Sequence, residues 1–146
     1  MEVSILQVAE NILRVGLRVS TPLLLASLGE IYAERSGILN LGVEGMMMAG
    51  GSAGFLVALW TGNPWAGVAA AMLVGAAISL VHAVISIHLR GNQVVSGLAL
   101  TMFGLGVASV IARGYTGVPL PANARLVAKP LFKGADEIPV IGRALL

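Results

Sequence analysis

The sequence predicts an all-α protein: a polytopic transmembrane helical bundle of about four spans with an extramembrane C-terminal loop. Three observations carry this. Of 146 residues, 57% are hydrophobic and 11% are charged, against about 25% charged in soluble domains. Mean hydropathy is +0.90. Apolar stretches recur near the ~20-residue length that crosses a bilayer core, with short polar joints between them. The 19 glycines, against an ordinary share of about 7%, suit helices that approach closely in lipid. With no cysteine, disulfides and thiolate sites are excluded. His82 and His88 alone do not make a metal site, and no metal ligand is assigned. A net charge of +2, thinly spread, excludes a nucleic-acid polymer as partner and leaves membrane lipid as the expected surroundings.

Residues 1–18 form a lead-in. Val8, Ile12, Val15 and Val19 recur at helical spacing, which predicts an amphipathic helix at the interface or the start of a solvated one. A signal-peptide reading, with Arg14 and Arg18 before an apolar run ending near Ala33, is opposed by the long preceding region and its Glu2 and Glu10. Segment one runs from Val19 to Ala33, with Ser20 and Thr21 as caps ahead of Pro22. It is short, so it borrows from the lead-in while Arg14 and Arg18 snorkel. Segments two, three and four run Ile38–Trp60, Trp65–Leu89 and Val94–Ala112. The joint Thr61-Gly62-Asn63-Pro64, flanked by Trp60 and Trp65, belongs at a headgroup boundary. The transmembrane region is thus 19–112. Residues 113–146 carry Pro119, Pro121, Pro130 and Pro139 among dense charges, which predicts an extramembrane loop. Its apolar end, from Ile138 to Leu146, has the character of an approach to a further helix.

Small residues mark packing faces. Gly67, Ala71, Gly75, Ser79 and Ala83 stand four apart on segment three. Gly97, Thr101, Gly104, Ala108 and Ala112 do nearly the same on segment four, and Gly50 and Gly54 on segment two. Such stripes predict close helix–helix contact and say nothing of a solute.

The residues that could carry chemistry lie in and beside segment two. A carboxylate in hydrocarbon costs roughly 2.5 kcal/mol or more. Asn40 and Glu44, four apart, share a face if the segment is helical there, and Gly37, Gly42 and Gly45 loosen it. Two readings stay open. The segment lines a pathway, as interrupted helices do in transporters, or Glu44 joins a structural network with Asn40 or with His82. Glu30, Glu34 and Arg35 anchor a joint. Asn92 and Gln93 open segment four, either as caps or as groups reaching a polar cavity; Asn suits a cap and Gln does not. His82, one turn from Ser79 and Ser86, is a histidine held by hydroxyls or part of a proton relay. The Met46-Met47-Met48 run is apolar filler. No Walker motif or triad is found, so no catalytic residue is assigned. An intramembrane enzyme would need Glu44 and His82 within about 3 Å of each other.

Thr21-Pro22-Leu23-Leu24-Leu25, Leu28-Gly29-Glu30, Glu34-Arg35-Ser36-Gly37 and Asn40-Leu41-Gly42-Val43-Glu44-Gly45-Met46 resemble permease subunits of bacterial ABC importers. The nearest group is the nucleoside and simple-sugar permeases, within the broad family that includes ribose-type and branched-chain amino-acid permeases. Asn92-Gln93-Val94-Val95-Ser96-Gly97-Leu98-Ala99-Leu100 resembles a second motif of that group. The resemblance covers Thr21 to Leu146 and matches the N-terminal half of such permeases. It implies a multi-pass protein of the bacterial plasma membrane. It also implies a second permease subunit, a cytoplasmic ABC ATPase that holds the ATP, and an extracytoplasmic lipoprotein binding protein that delivers solute. This chain itself would bind no cofactor. The pathway expected from the polar residues themselves is Asn40, Glu44, Asn92 and Gln93. The positive-inside rule puts Arg35 and Arg90 toward the cytoplasm, and the resemblance puts the 113–143 loop outside. The competing expectation is a membrane scaffold that transports nothing.

Overall fold

The computed structural model describes residues 5–126. Residues 1–4 and 127–146, with the apolar end of the expected C-terminal loop, lie outside the described residues. Two compact units divide the chain, Met1–Leu28 with Val127–Leu146, and Gly29–Leu126.

In the first unit the described residues belong to helix α1, Ile5–Arg35, which buries none of its side chains. The helix does not start at Ser20-Thr21-Pro22 as the capping pattern predicts. The Ser20 and Thr21 hydroxyls instead donate back to Leu17 O at 3.1 and 2.9 Å, and Pro22 sits inside the helix. The carbonyl that Pro22 leaves without its helical donor is that of Arg18, four residues back, one residue beyond the carbonyl these hydroxyls reach.

The second unit holds α2, Val43–Thr61, α3, Pro64–Ala83, and α4, Gln93–Tyr115. A π-helical turn, Val84–His88, continues α3, and a 3-10 turn, Ala122–Ala124, follows α4. Among the described residues four helices are long and apolar enough to cross a membrane: Ile5–Arg35, Val43–Thr61, Pro64–His88 and Gln93–Tyr115. Helix α2 is central, packing along both α3 and α4, which touch each other little. Its core is made of small residues, with Ala49, Ala58, Ile78 and Ala108 the buried apolar side chains of the three helices.

Backbones meet where the small residues stand. A Cβ on Gly54 would lie 2.8 Å from Gly67 O, and one on Gly67 2.7 Å from Gly54 O. At the α2–α4 crossing, a Cβ on Gly104 would meet the backbone of Gly45, and one on Gly45 the carbonyl of Leu100. Ala71 closes over Gly50, and Gly97 presses on Leu41. The four-residue stripe on α3 does not continue as spaced: Ser79 is exposed, Gly75 faces open space, and the buried line turns to Ile78 and His82. A four-residue step overshoots a 3.6-residue turn by about 40°, so a strict stripe drifts off the contact within three steps.

The joints explain themselves locally. Gly62 ends α2 at φ +65, its N–H donating to Ala58 O. Asn63 caps α3 by accepting from Trp65 N, with Pro64 at the first helical position. The 3-10 turn folds back on this joint: Asn123 lies against Gly62 and Ala124 is buried. Arg35 and Arg90 mark one end of the unit, Arg113 and Arg125 the other.

Candidate functional site

The segment between α1 and α2 is not helical, and its sequence dictates why. Gly37 takes φ +80, its N–H donates to Glu34 O, and Ile38 N donates to Ala33 O. That is a Schellman stop with glycine at the left-handed position. Three residues on, the Asn40 side chain accepts from Gly42 N at 3.0 Å, which closes an Asx turn. Helix α2 therefore begins at Val43 rather than Ile38. Asn40 lies in the turn and Glu44 in the first turn of α2, so the two do not share a helix face.

Side chains from three helices hold this loop. Gln93 accepts from Leu39 N at 2.7 Å and donates to Gly37 O at 3.3 Å. Glu30 Oε1 accepts from Asn40 N at 2.9 Å. His82, 2% exposed, sits with Nε2 3.2 Å from Leu39 O and Nδ1 3.0 Å from Ser96 Oγ. A carbonyl only accepts, so Nε2 carries the proton and, in the neutral ring, Nδ1 accepts from Ser96. Ser86, on the π turn, approaches Nε2 at 3.4 Å. Thr101 donates to Leu41 O at 2.8 Å, and Asn40 Nδ2 reaches Met46 Sδ at 3.7 Å. Groups from α1, α3 and α4 thus take up the loop backbone at Gly37, Leu39, Asn40 and Leu41.

The expected site residues therefore separate. Asn92 is the cap of α4, accepting from Val95 N at 3.1 Å. Asn40 and Gln93 are spent on the loop. His82 is held by hydroxyls, but by Ser86 and Ser96 rather than Ser79. Glu44 is exposed, and among the described residues no hydrogen bond or ion pair reaches it. The Glu44–His82 network does not form, since both ring nitrogens of His82 are engaged elsewhere. Thr101 and the backbone contact of Glu30 escape sequence reasoning, because their partners lie on other elements.

Glu44 lies 16 residues before Trp60 on α2, about 24 Å along the helix axis. That separation is shorter than the ~30 Å of a bilayer core. Met48, Gly51 and Phe55 follow Glu44 at four- and three-residue steps, so they form one stripe. Above Glu44 this stripe opens into a groove of about 370 Å³ between α2 and α4, where Met48, Gly51, Ser52 and Phe55 face Ile111 and Tyr115. The Phe55 and Tyr115 rings meet edge to face at 6.4 Å and 75°.

A family model described as the branched-chain amino acid transport system / permease component matches residues 12–124. The chain belongs to this permease family. Among its relatives, the putative glucose ABC transporter permease protein of Haloferax volcanii is 38% identical over 136 residues, which is 93% of this chain and 41% of that protein. The guanosine ABC transporter permease protein of Bacillus subtilis is 36% identical over 149 residues, 95% of this chain and 46% of that protein. The nucleoside ABC transporter permease protein of Lactococcus lactis is 31% identical over 133 residues, 77% of this chain and 42% of that protein. The chain spans less than half the length of these curated relatives. No solved structure matches it. Permease family membership and four span-length helices make it a multi-pass plasma-membrane protein. These relatives are transport subunits, not enzymes.

Proposed function

We propose that the chain forms part of the membrane permease of an ATP-binding-cassette importer that passes nucleosides or simple sugars. The observation that carries this is identity of 36–38% along 93–95% of the chain to permeases named for glucose and guanosine. The geometry supports one refinement. Of the four pathway candidates, Asn40, Asn92 and Gln93 are committed to cap and loop, which leaves Glu44 to meet a solute. Hydroxyls and amino groups of a solute are donors, and an unpaired carboxylate is their natural acceptor.

The remaining parts of the machine follow from the same reading. ATP is bound and hydrolysed on a separate cytoplasmic ATPase. A second permease subunit completes the channel, and an extracytoplasmic lipoprotein binding protein delivers solute. The test is deletion of the gene, followed by uptake of radiolabelled guanosine, adenosine and glucose, with leucine as control. Loss of uptake of one of the first three, restored by complementation, is the expected result. Uptake of all four unchanged by the deletion overturns the proposal.

A further inference from the structure

We propose that the end of α1 and the 37–42 loop form a latch with Glu30 as its releasing contact: Asn40 N lets go of Glu30, and hydration of the freed carboxylate drives the opening. The anchors of the loop are unequal. His82 uses both ring nitrogens, Gln93 uses its amide oxygen and nitrogen, and Thr101 donates to Leu41 O. Glu30 is only half used. Its Oε1 accepts from Asn40 N at 2.9 Å, while Oε2 is shut away from solvent and has no hydrogen-bond partner among the described residues.

A buried polar atom without a partner calls for a physical cause. Water does not satisfy this one, because the oxygen keeps no surface open to it. A basic side chain arriving from a partner subunit would meet the same closed surface. The carboxylate is therefore held at a cost, since enclosing a charge outweighs what one hydrogen bond returns. That cost disappears when the oxygen reaches water, and the end of the helix is near. Glu30 stands five residues before Arg35, about 7.5 Å along the axis, and Glu34 and Arg35 are both exposed.

The backbone lets the contact go. Gly37, between α1 and the loop, takes φ +80 and stands in open space, since a Cβ there would meet nothing within 4 Å. Gly42, at the other end, is packed: a Cβ there would lie 3.2 Å from Gly97 O and 3.3 Å from Leu100 Cβ. The loop is thus fixed on the α2–α4 side and hinged on the α1 side. Releasing Asn40 N leaves the α2–α4 crossing undisturbed. For a permease, which passes between two arrangements, such a contact is where one gives way to the other. That use rests on the permease reading; the latch itself does not.

Hydrogen exchange tests the latch, on the protein extracted with its own assembly into lipid nanodiscs and digested for mass spectrometry. Glu30→Gln keeps an oxygen for Asn40 N and removes the charge. It should slow exchange in the peptide from Ser36 to Glu44 at least about fivefold and raise the unfolding midpoint by about 2 °C or more. Glu30→Asp keeps the charge but is too short to hold Asn40 N, and should speed the same exchange. An anchor that merely holds the loop, or one paired with a basic group of another subunit, gives Glu30→Gln the opposite sign. Faster or unchanged exchange, a lower midpoint, or a Glu30→Gln protein that fails to accumulate would each overturn the latch. With exchange slowed and abundance at the parental level, solute uptake should fall at least about threefold. Full uptake would remove the latch from transport. If uptake of no solute depends on the chain at all, the permease reading fails and the exchange result still decides the latch.

Discussion

A methyl group on Gly104 should force α4 away from α2. Built on the backbone, that Cβ comes within 2.5 Å of Gly45 Cα, with the Gly45 carbonyl still nearer. Non-bonded carbons rest about 3.5–4.0 Å apart, so the two backbones must separate by roughly 1 Å. Overpacking of this kind costs about 1–3 kcal/mol. The same shift stretches the Thr101–Leu41 hydrogen bond, now 2.8 Å and one turn away. Such a bond contributes about 0.5–1.5 kcal/mol. Gly104→Ala should therefore destabilise the protein by about 2–4 kcal/mol. Gly51→Ala is the matched control, because its Cβ meets open space and the change favours helix by about 0.5–1 kcal/mol. The assay is thermal unfolding of both variants in detergent, read by fluorescence-detected size exclusion. At about 2–4 °C per kcal/mol, Gly104→Ala should lower the midpoint by roughly 5–15 °C, and Gly51→Ala should hold or raise it. Equal midpoints for the two variants would refute the reasoning.

Two further variants probe the loop clamp. His82→Ala removes a buried ring and leaves Leu39 O and Ser96 without it, a loss of about 2–4 kcal/mol that the same unfolding assay should register. Gln93→Glu keeps the acceptor for Leu39 N but sets a carboxylate oxygen against Gly37 O. It should destabilise the protein more than Gln93→Ala does, and the reverse order in unfolding midpoint would count against the clamp.

Helix positions were legible where the cause is local. Apolar length marks the spans, Trp60 and Trp65 mark a boundary, and Gly54, Gly67, Gly97 and Gly104 announce backbone contacts because no other residue permits such approach. Pro22 misled, since a proline that starts helices in water is carried inside one here. The loop between α1 and α2 was legible only in part. Gly37 as a left-handed stop and Asn40 two residues before Gly42 are local signals for its turns. Its anchors are not local: Gln93 is 54 residues from Leu39, His82 43, and Thr101 60 from Leu41. No spacing rule connects them, so the sequence offered Asn40 and Gln93 as pathway residues without revealing their bonds within the loop. Glu44 kept its candidacy for the opposite reason: among the described residues no partner reaches it.

The most direct test of that assignment is uptake by cells carrying Glu44→Gln, with the amount of protein in the membrane measured in parallel. The side chain is exposed and has no partner among the described residues, so the variant should accumulate to parental levels. Uptake of the solute should fall at least about tenfold, the loss expected when a hydrogen bond to a charged acceptor is weakened. Full uptake at full abundance would contradict the account and leave Glu44 without a part in transport.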